Sequence, residues 1–166
     1  QSVTVVVEDN DPAALVLSTA ALDMVEGGAP AQATVALASR PRGDVEVDLG
    51  YDATALFVLS SMRTLVFTPE NWDVPQPFTV HAVDDDVYRG ESYSAMVALS
   101  ARSADPAFDG IDHPTGVSLE ITDDDTPGVE ILVDYMVVNE EDDFQYYEVL
   151  LGAKPAADVV LSVAAD

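Results

Sequence analysis

Asp44-Val45-Glu46-Val47-Asp48-Leu49 alternates acid and aliphatic without a break. Successive side chains of a strand point to opposite faces, so such a segment has one wet face and one buried face. Residues 63–67, 78–83, 93–99, 117–122, 129–133, 144–151 and 158–163 carry the same two-residue period. Turn formers punctuate them: Glu26-Gly27-Gly28, Arg40-Pro41-Arg42-Gly43, Thr68-Pro69-Glu70-Asn71 and Asp109-Gly110. No window of a dozen residues carries a helical stripe. Residues 13–21 are alanine-rich, but Val16, Thr19 and the preceding Pro12 favour extended chain. Many short alternating strands between frequent turns predict an all-β, antiparallel β-sandwich.

The sequence also repeats itself. Val3-Thr4-Val5-Val6-Val7-Glu8-Asp9-Asn10-Asp11-Pro12 returns as Val117-Ser118-Leu119-Glu120-Ile121-Thr122-Asp123-Asp124-Asp125-Thr126-Pro127. Glu26 precedes Pro41 by the interval that separates Glu140 from Pro155, and an alternating segment follows each proline. The offset of 114 to 115 residues is the size of one sandwich domain. Residues 1–12 are therefore expected to be the last strand and exit loop of a preceding repeat. Residues 13–125 are expected to form a complete domain, and residues 126–166 the opening strands of a following, incomplete one. Such a partial copy should be marginal unless further sequence or another chain covers its open edge.

Charge narrows the partners. Thirty-one acidic residues stand against 6 basic ones, for a formal net charge of −25. That field repels phosphate backbones and anionic lipid headgroups, so no nucleic-acid partner and no membrane insertion are expected. At 48% hydrophobic residues the chain has the aliphatics to build a core. It contains no cysteine, which excludes disulfides, zinc-thiolate sites and cysteine nucleophiles. His81 and His113 lack the spacing of a zinc site, and His81 is expected on the outer face of its strand. No nucleophile elbow, phosphate loop or triad-like grouping occurs, and the carboxylates are crowded in loops, so no enzyme is expected. Trp72 is expected to close the core or pack beside Pro75-Gln76-Pro77, and Tyr146-Tyr147 to place one ring in and one out.

The candidate chemistry lies in the acid runs. Asp84-Asp85-Asp86 and Asp123-Asp124-Asp125 each leave a strand, and Asp9-Asn10-Asp11 stands at the repeat offset from the second. One acid run in a loop is ordinarily a solvated face. Two triplets at equivalent strand ends repel each other unless a cation bridges them. Calcium takes six to eight oxygens at about 2.3–2.6 Å, preferably several carboxylates, whereas magnesium keeps its waters. The loops lack EF-hand spacing.

Val25-Glu26-Gly27-Gly28, then Leu65-Val66-Phe67-Thr68-Pro69-Glu70-Asn71-Trp72, then Val83-Asp84-Asp85-Asp86, then Ile121-Thr122-Asp123-Asp124-Asp125 resembles the Calx-β domain. That family includes the calcium-sensing domains of sodium–calcium exchangers and repeats of large bacterial and algal surface proteins. The resemblance implies a seven-stranded, immunoglobulin-like Greek-key sandwich with Ca2+ at one tip. It assigns the ligands to Glu26, Asp84, Asp85, Asp86, the Val87 carbonyl, Asp123, Asp124 and Asp125. Asp9, Asp11 and Glu140 become parts of neighbouring sites. The chain departs from strongly binding members at Arg89-Gly90, where acids are expected, and in lacking an aspartate for which Asp48 and Asp52 are only substitutes. One or two ions per tip are expected. The implied role is an extracellular, cell-surface repeat whose calcium stiffens the linkers of a filament or adhesin. Its partners would be neighbouring repeats, other copies or surface ligands. The alternative is a regulatory sensor of the exchanger type.

Overall fold

The computed structural model describes residues 2–6, 10–51, 57–59, 63–132, 146–155 and 157–163, and these contain no helix. Eleven strands are seen among them: β1 (Leu15–Leu17), β2 (Ala21–Val25), β3 (Ala31–Leu37), β4 (Val45–Gly50), β5 (Phe57–Leu59), β6 (Thr64–Phe67), β7 (Gln76–Ala82), β8 (Ser92–Ser103), β9 (Val117–Thr122), β10 (Val129–Ile131) and β11 (Val149–Leu151). One sheet has the order β1-β3-β7-β5 and a second the order β2-β9-β8-β4-β6, while β10 and β11 pair only with each other.

The alternation places the core. Val45, Val47 and Leu49 of β4 are buried and the intervening residues face outward. Val117, Leu119 and Ile121 do the same in β9. Opposite them stand Ala33, Val35 and Leu37 of β3 and Phe78, Val80 and Ala82 of β7. Phe67 and Phe78 are fully buried between the sheets, each contributing about 1.5–3 kcal/mol through lost apolar surface. Trp72 packs half-buried against this core, and its carbonyl accepts the Leu37 N–H at 2.9 Å, so it caps the sandwich beside the proline turn.

Several expectations need correction. The sandwich is not wholly antiparallel: β2 runs parallel to β9, Ala21 opposite Ser118 through Val25 opposite Thr122. Between β1 and β2 the chain steps from one sheet to the other without reversing. The Ser18 hydroxyl oxygen accepts the Thr34 N–H at 2.9 Å, and the Thr19 hydroxyl donates to the Ala21 carbonyl at 2.8 Å, which secures the step. One edge strand is thus shared by both sheets. With the short β5 it raises the count to nine, not seven. Nor do residues 2–6 or 158–163 form strands despite their alternation. The counterpart of the latter, β4, is held between β6 and β8, and no such neighbours flank 158–163 among the described residues. His81 lies on the outer face of β7, opposite Phe78, Val80 and Ala82 as expected, but is half-buried there, with no partner for its Nδ1 among the described residues. Tyr146 and Tyr147 are both exposed.

The β10–β11 pair copies β1–β3. Val129 faces Leu151, Glu130 faces Leu150 and Ile131 faces Val149. Shifted by the repeat offset, these are the pairs Leu15–Leu37, Val16–Ala36 and Leu17–Val35. The flanking hydrogen bonds copy too. Leu132 N–H to Glu148 O at 3.1 Å answers Ser18 N–H to Thr34 O at 3.0 Å. Gly152 N–H to Gly128 O at 3.0 Å answers Ala38 N–H to Ala14 O at 2.9 Å.

Candidate metal centre

Because β2 and β9 are parallel, their C-terminal ends emerge side by side. Glu26 follows β2 and Asp123 follows β9, and the Glu26 N–H donates to the Thr122 carbonyl at 2.9 Å as the last rung of that ladder. Gly27 then turns the chain at φ +60°, in the left-handed region that suits glycine. A Cβ there would lie 2.9 Å from Asp84 Cγ, so the turn closes directly on the loop after β7. The start of β8 closes the other side, where the Glu91 carbonyl accepts the Asp123 N–H at 3.2 Å.

Glu26 is only 1% exposed. Its Oε1 accepts the Asp85 N–H at 3.0 Å and its Oε2 the Tyr93 hydroxyl at 3.2 Å. Burial pushes its carboxyl above the usual range, and the neighbouring Asp85 charge adds to the shift. Tyr93 is pushed upward in turn, first by burial and then by Glu26. Asp123 is buried, its Oδ1 accepting the Asp125 N–H at 2.9 Å and its Oδ2 the Arg89 N–H at 2.5 Å. Asp125 is half-buried, and its Oδ2 is sealed from solvent with no partner among the described residues. Burial raises its pKa, followed by the charges of Asp123, Asp124, Asp86 and Asp85.

One carboxylate oxygen each from Glu26, Asp123 and Asp125 lies within 4.8 Å of the others. Oxygens at about 2.3–2.6 Å from one calcium ion stand at most about 5 Å apart, so a single ion fits this spacing. The orphaned Asp125 oxygen supplies an acceptor with nothing to accept, and three carboxylates are a hard-oxygen set suited to calcium.

Not every acid of the triplets joins them. Asp85 meets Glu26 through its backbone and turns its carboxylate to Arg89. Asp84, Asp86 and Asp124 are exposed, since neighbouring residues of an extended loop point to opposite sides. The Val87 carbonyl accepts an Arg89 Nη1–H at 3.1 Å. Asp11 lies exposed before β1, lining a cleft of about 310 Å³ with Ser39, Arg40 and Arg42. Asp9, Glu140 and Asp52 fall outside the described residues. Asp48 is engaged on its sheet by Thr64 at 2.8 Å and by Arg102 at 2.7 Å. Tyr93, which orients Glu26, gave no signal beyond its place in an alternating strand.

The centre also touches the segment that begins beyond β9. The Lys154 N–H donates to the Asp86 carbonyl at 2.6 Å, and the Lys154 charge helps hold Asp85 low. Tyr88 lines a groove of about 340 Å³ with Pro127, Val129, Leu151, Pro155 and Val159.

No protein-family model matches this sequence, and no curated protein matches it. Solved structures do match in fold. The chain is similar to the apo-form Calx CBD1 domain, with 19% identity over 67% of this chain and 96% of that one, at TM-score 0.50. It is similar to the periplasmic chaperone SfaE, with 10% identity over 67% of this chain and 58% of that one, at TM-score 0.51. The Salmonella enterica SafA pilin in complex with the SafB chaperone matches with 12% identity over 70% of this chain and 57% of that one, at TM-score 0.50. The chain thus spans somewhat more than half of those last two. At these identities the likeness is one of architecture, an immunoglobulin-like β-sandwich of the kind seen in the Calx CBD1 domain and in the periplasmic chaperone SfaE.

Proposed function

We propose that this chain is a calcium-binding structural module of a tandem array, with the ion at the exit of one sandwich holding the next repeat in line. The observation that carries the reading is the convergence of Glu26, Asp123 and Asp125 around a sealed, unpartnered carboxylate oxygen. Two features add support. Asp125 leads through Thr126-Pro127 straight into β10, and the Asp86 loop is bonded to Lys154 beyond β11. The register and flanking bonds that β10–β11 share with β1–β3 support residues 126–166 as the opening of a further repeat, with 13–125 a complete one. The fold likeness to the Calx CBD1 domain agrees with the resemblance read in the sequence. The setting proposed is an extracellular or cell-surface adhesin or filament, with a binding and structural role and no catalytic step.

Calorimetric titration of the chelator-stripped chain with CaCl2 tests this. Binding at about 10⁻⁴–10⁻³ M, the range of extracellular modules, is expected. It should be lost in Glu26→Gln and accompanied by a less flexible scattering profile. No heat, with identical melting in EGTA and in millimolar calcium, overturns it. A submicromolar site would instead move the reading to a sensor of the exchanger type.

A further inference from the structure

Two groups that the resemblance assigns to an ion, the Asp85 carboxylate and the Val87 carbonyl, are held by a single side chain. Arg89 Nη1–H donates to Asp85 Oδ1 at 2.9 Å and to the Val87 carbonyl at 3.1 Å, and Nη2–H donates to Asp85 Oδ2 at 2.6 Å. The same Nη1 lies 3.8 Å from Glu26 Oε1. The guanidinium stacks 5.5 Å from the centroid of the Tyr93 ring, which leaves the side chain only 24% exposed. A fork on both oxygens of one carboxylate is the geometry that guanidinium prefers, and its charge cannot be titrated away.

The acidic tip therefore has two unlike halves. On one side Asp85, Val87 and an edge of Glu26 surround a cation that the chain itself supplies. On the other, Glu26, Asp123 and Asp125 converge, and an oxygen of Asp125 has no partner among the described residues. The halves share Glu26, and the Arg89 backbone N–H reaches across to Asp123. We propose that Arg89 is a tethered cation that occupies the Asp85–Val87 half of the tip and confines calcium to the half made by Glu26, Asp123 and Asp125. This rests on the calcium reading above and adds to it what sets the site's capacity. A guanidinium places one positive charge among these oxygens without the dehydration that calcium demands, so part of the tip stays neutralised when calcium is absent. Removing it frees both Asp85 oxygens and the Val87 carbonyl, and calcium affinity rises with the charge and number of free ligands.

The test is a calcium titration of the full chain by calorimetry, with melting in EGTA and in calcium, for wild type, Arg89→Gln and Arg89→Lys. Arg89→Gln should melt lower in EGTA, yet take up one further ion per chain or bind roughly tenfold tighter. Its gap between the two melting temperatures should widen. Arg89→Lys should keep the wild-type stoichiometry. An arginine that serves only as a clamp would lower both melting temperatures alike and leave stoichiometry and affinity unchanged, and that result overturns the proposal. If wild type binds calcium and Arg89→Gln binds it identically, the inference falls and the calcium reading stands. If only Arg89→Gln binds, Arg89 excludes calcium from the whole tip, and both the calcium reading and its confinement to one half fall; if neither binds, both fall as well. Should Arg89→Gln not fold, the hydrogen-bonded Arg89 Nη–H resonance of wild type decides. It should persist, shifted but protected, through calcium saturation, and its loss to solvent exchange would mean that the ion displaces the guanidinium.

Discussion

The pairs β1–β3 and β10–β11 share one register and one set of flanking hydrogen bonds, and differ in what lies beneath them. Leu15 and Leu37 are 6% and 3% exposed, while their counterparts Val129 and Leu151 are 51% and 39% exposed. The first pair lies against β7 and the second sheet. The second pair has no facing sheet among the described residues. Strand pairing is thus decided locally by the paired segments themselves, whereas burial requires a facing sheet. An isolated two-stranded pair is at best marginally stable, so most of the free energy of folding belongs to the first region.

The largest effect that would test this contrast is a pair of core truncations. Phe78→Ala should cost about 3–5 kcal/mol in chemical denaturation, while Leu151→Ala should stay within about 0.5 kcal/mol. Comparable costs would mean that the second pair has a core of its own. Next in size is calcium at the junction. At one hundred times its dissociation constant the ion should stabilise the sandwich by about 2.7 kcal/mol, a gain absent from Glu26→Gln. Hydrogen exchange at Lys154 should slow in parallel, and unchanged exchange there would detach the ion from the junction.

Acidity should act in opposite directions with and without the ion. The carboxyls of Glu26 and Asp125 are both raised, first by burial, so their stabilising contribution is fully present below the ordinary values of 4.5 and 3.8 and is lost as pH rises through the folded values. The calcium-free chain should therefore melt higher as pH falls from neutrality toward the ordinary glutamate value. Asp85, held low by its Arg89 hydrogen bonds, and Asp105, held low by the Arg42 N–H, begin to lose their contribution only below the ordinary aspartate value. With calcium the same acidification should lower the melting temperature, because protons expel the ion. A flat calcium-free curve would indicate that burial does not strain these carboxyls. The smallest effect is expected for Lys154→Glu. It should leave sandwich stability within about 0.5 kcal/mol but raise the nanosecond mobility of β10–β11 in NMR relaxation.

These regions also show what could be read in advance. β4 was legible because its two faces differ at every step, and Val45, Val47 and Leu49 are all inside. Residues 158–163 carry the same signal and form no strand, since alternation records a preference for two environments and not the neighbours that create them. β8 runs on to Ser103 because its backbone continues to pair with Val45, although its last residues offer little contrast in polarity. The parallel meeting of β2 and β9 joins segments far apart in sequence, and no local pattern announces it. At the candidate site the triplets pointed to Asp123 and Asp125, and the resemblance pointed to Glu26. They could not distinguish Asp125, turned inward, from Asp124, turned out. Arg89 stood out as a departure, but its fork on Asp85 emerges only from the folded loop.

The parallel ladder has a mechanical consequence. If the sandwich stands in an array as proposed, tension entering through β1 and leaving after β9 would load the parallel β2–β9 ladder lengthwise. Strands that slide must break all their cross-links together, whereas strands that peel break them singly. Glu26 and Asp123 stand at the end of that ladder. An ion joining them would act as a bolt through that seam.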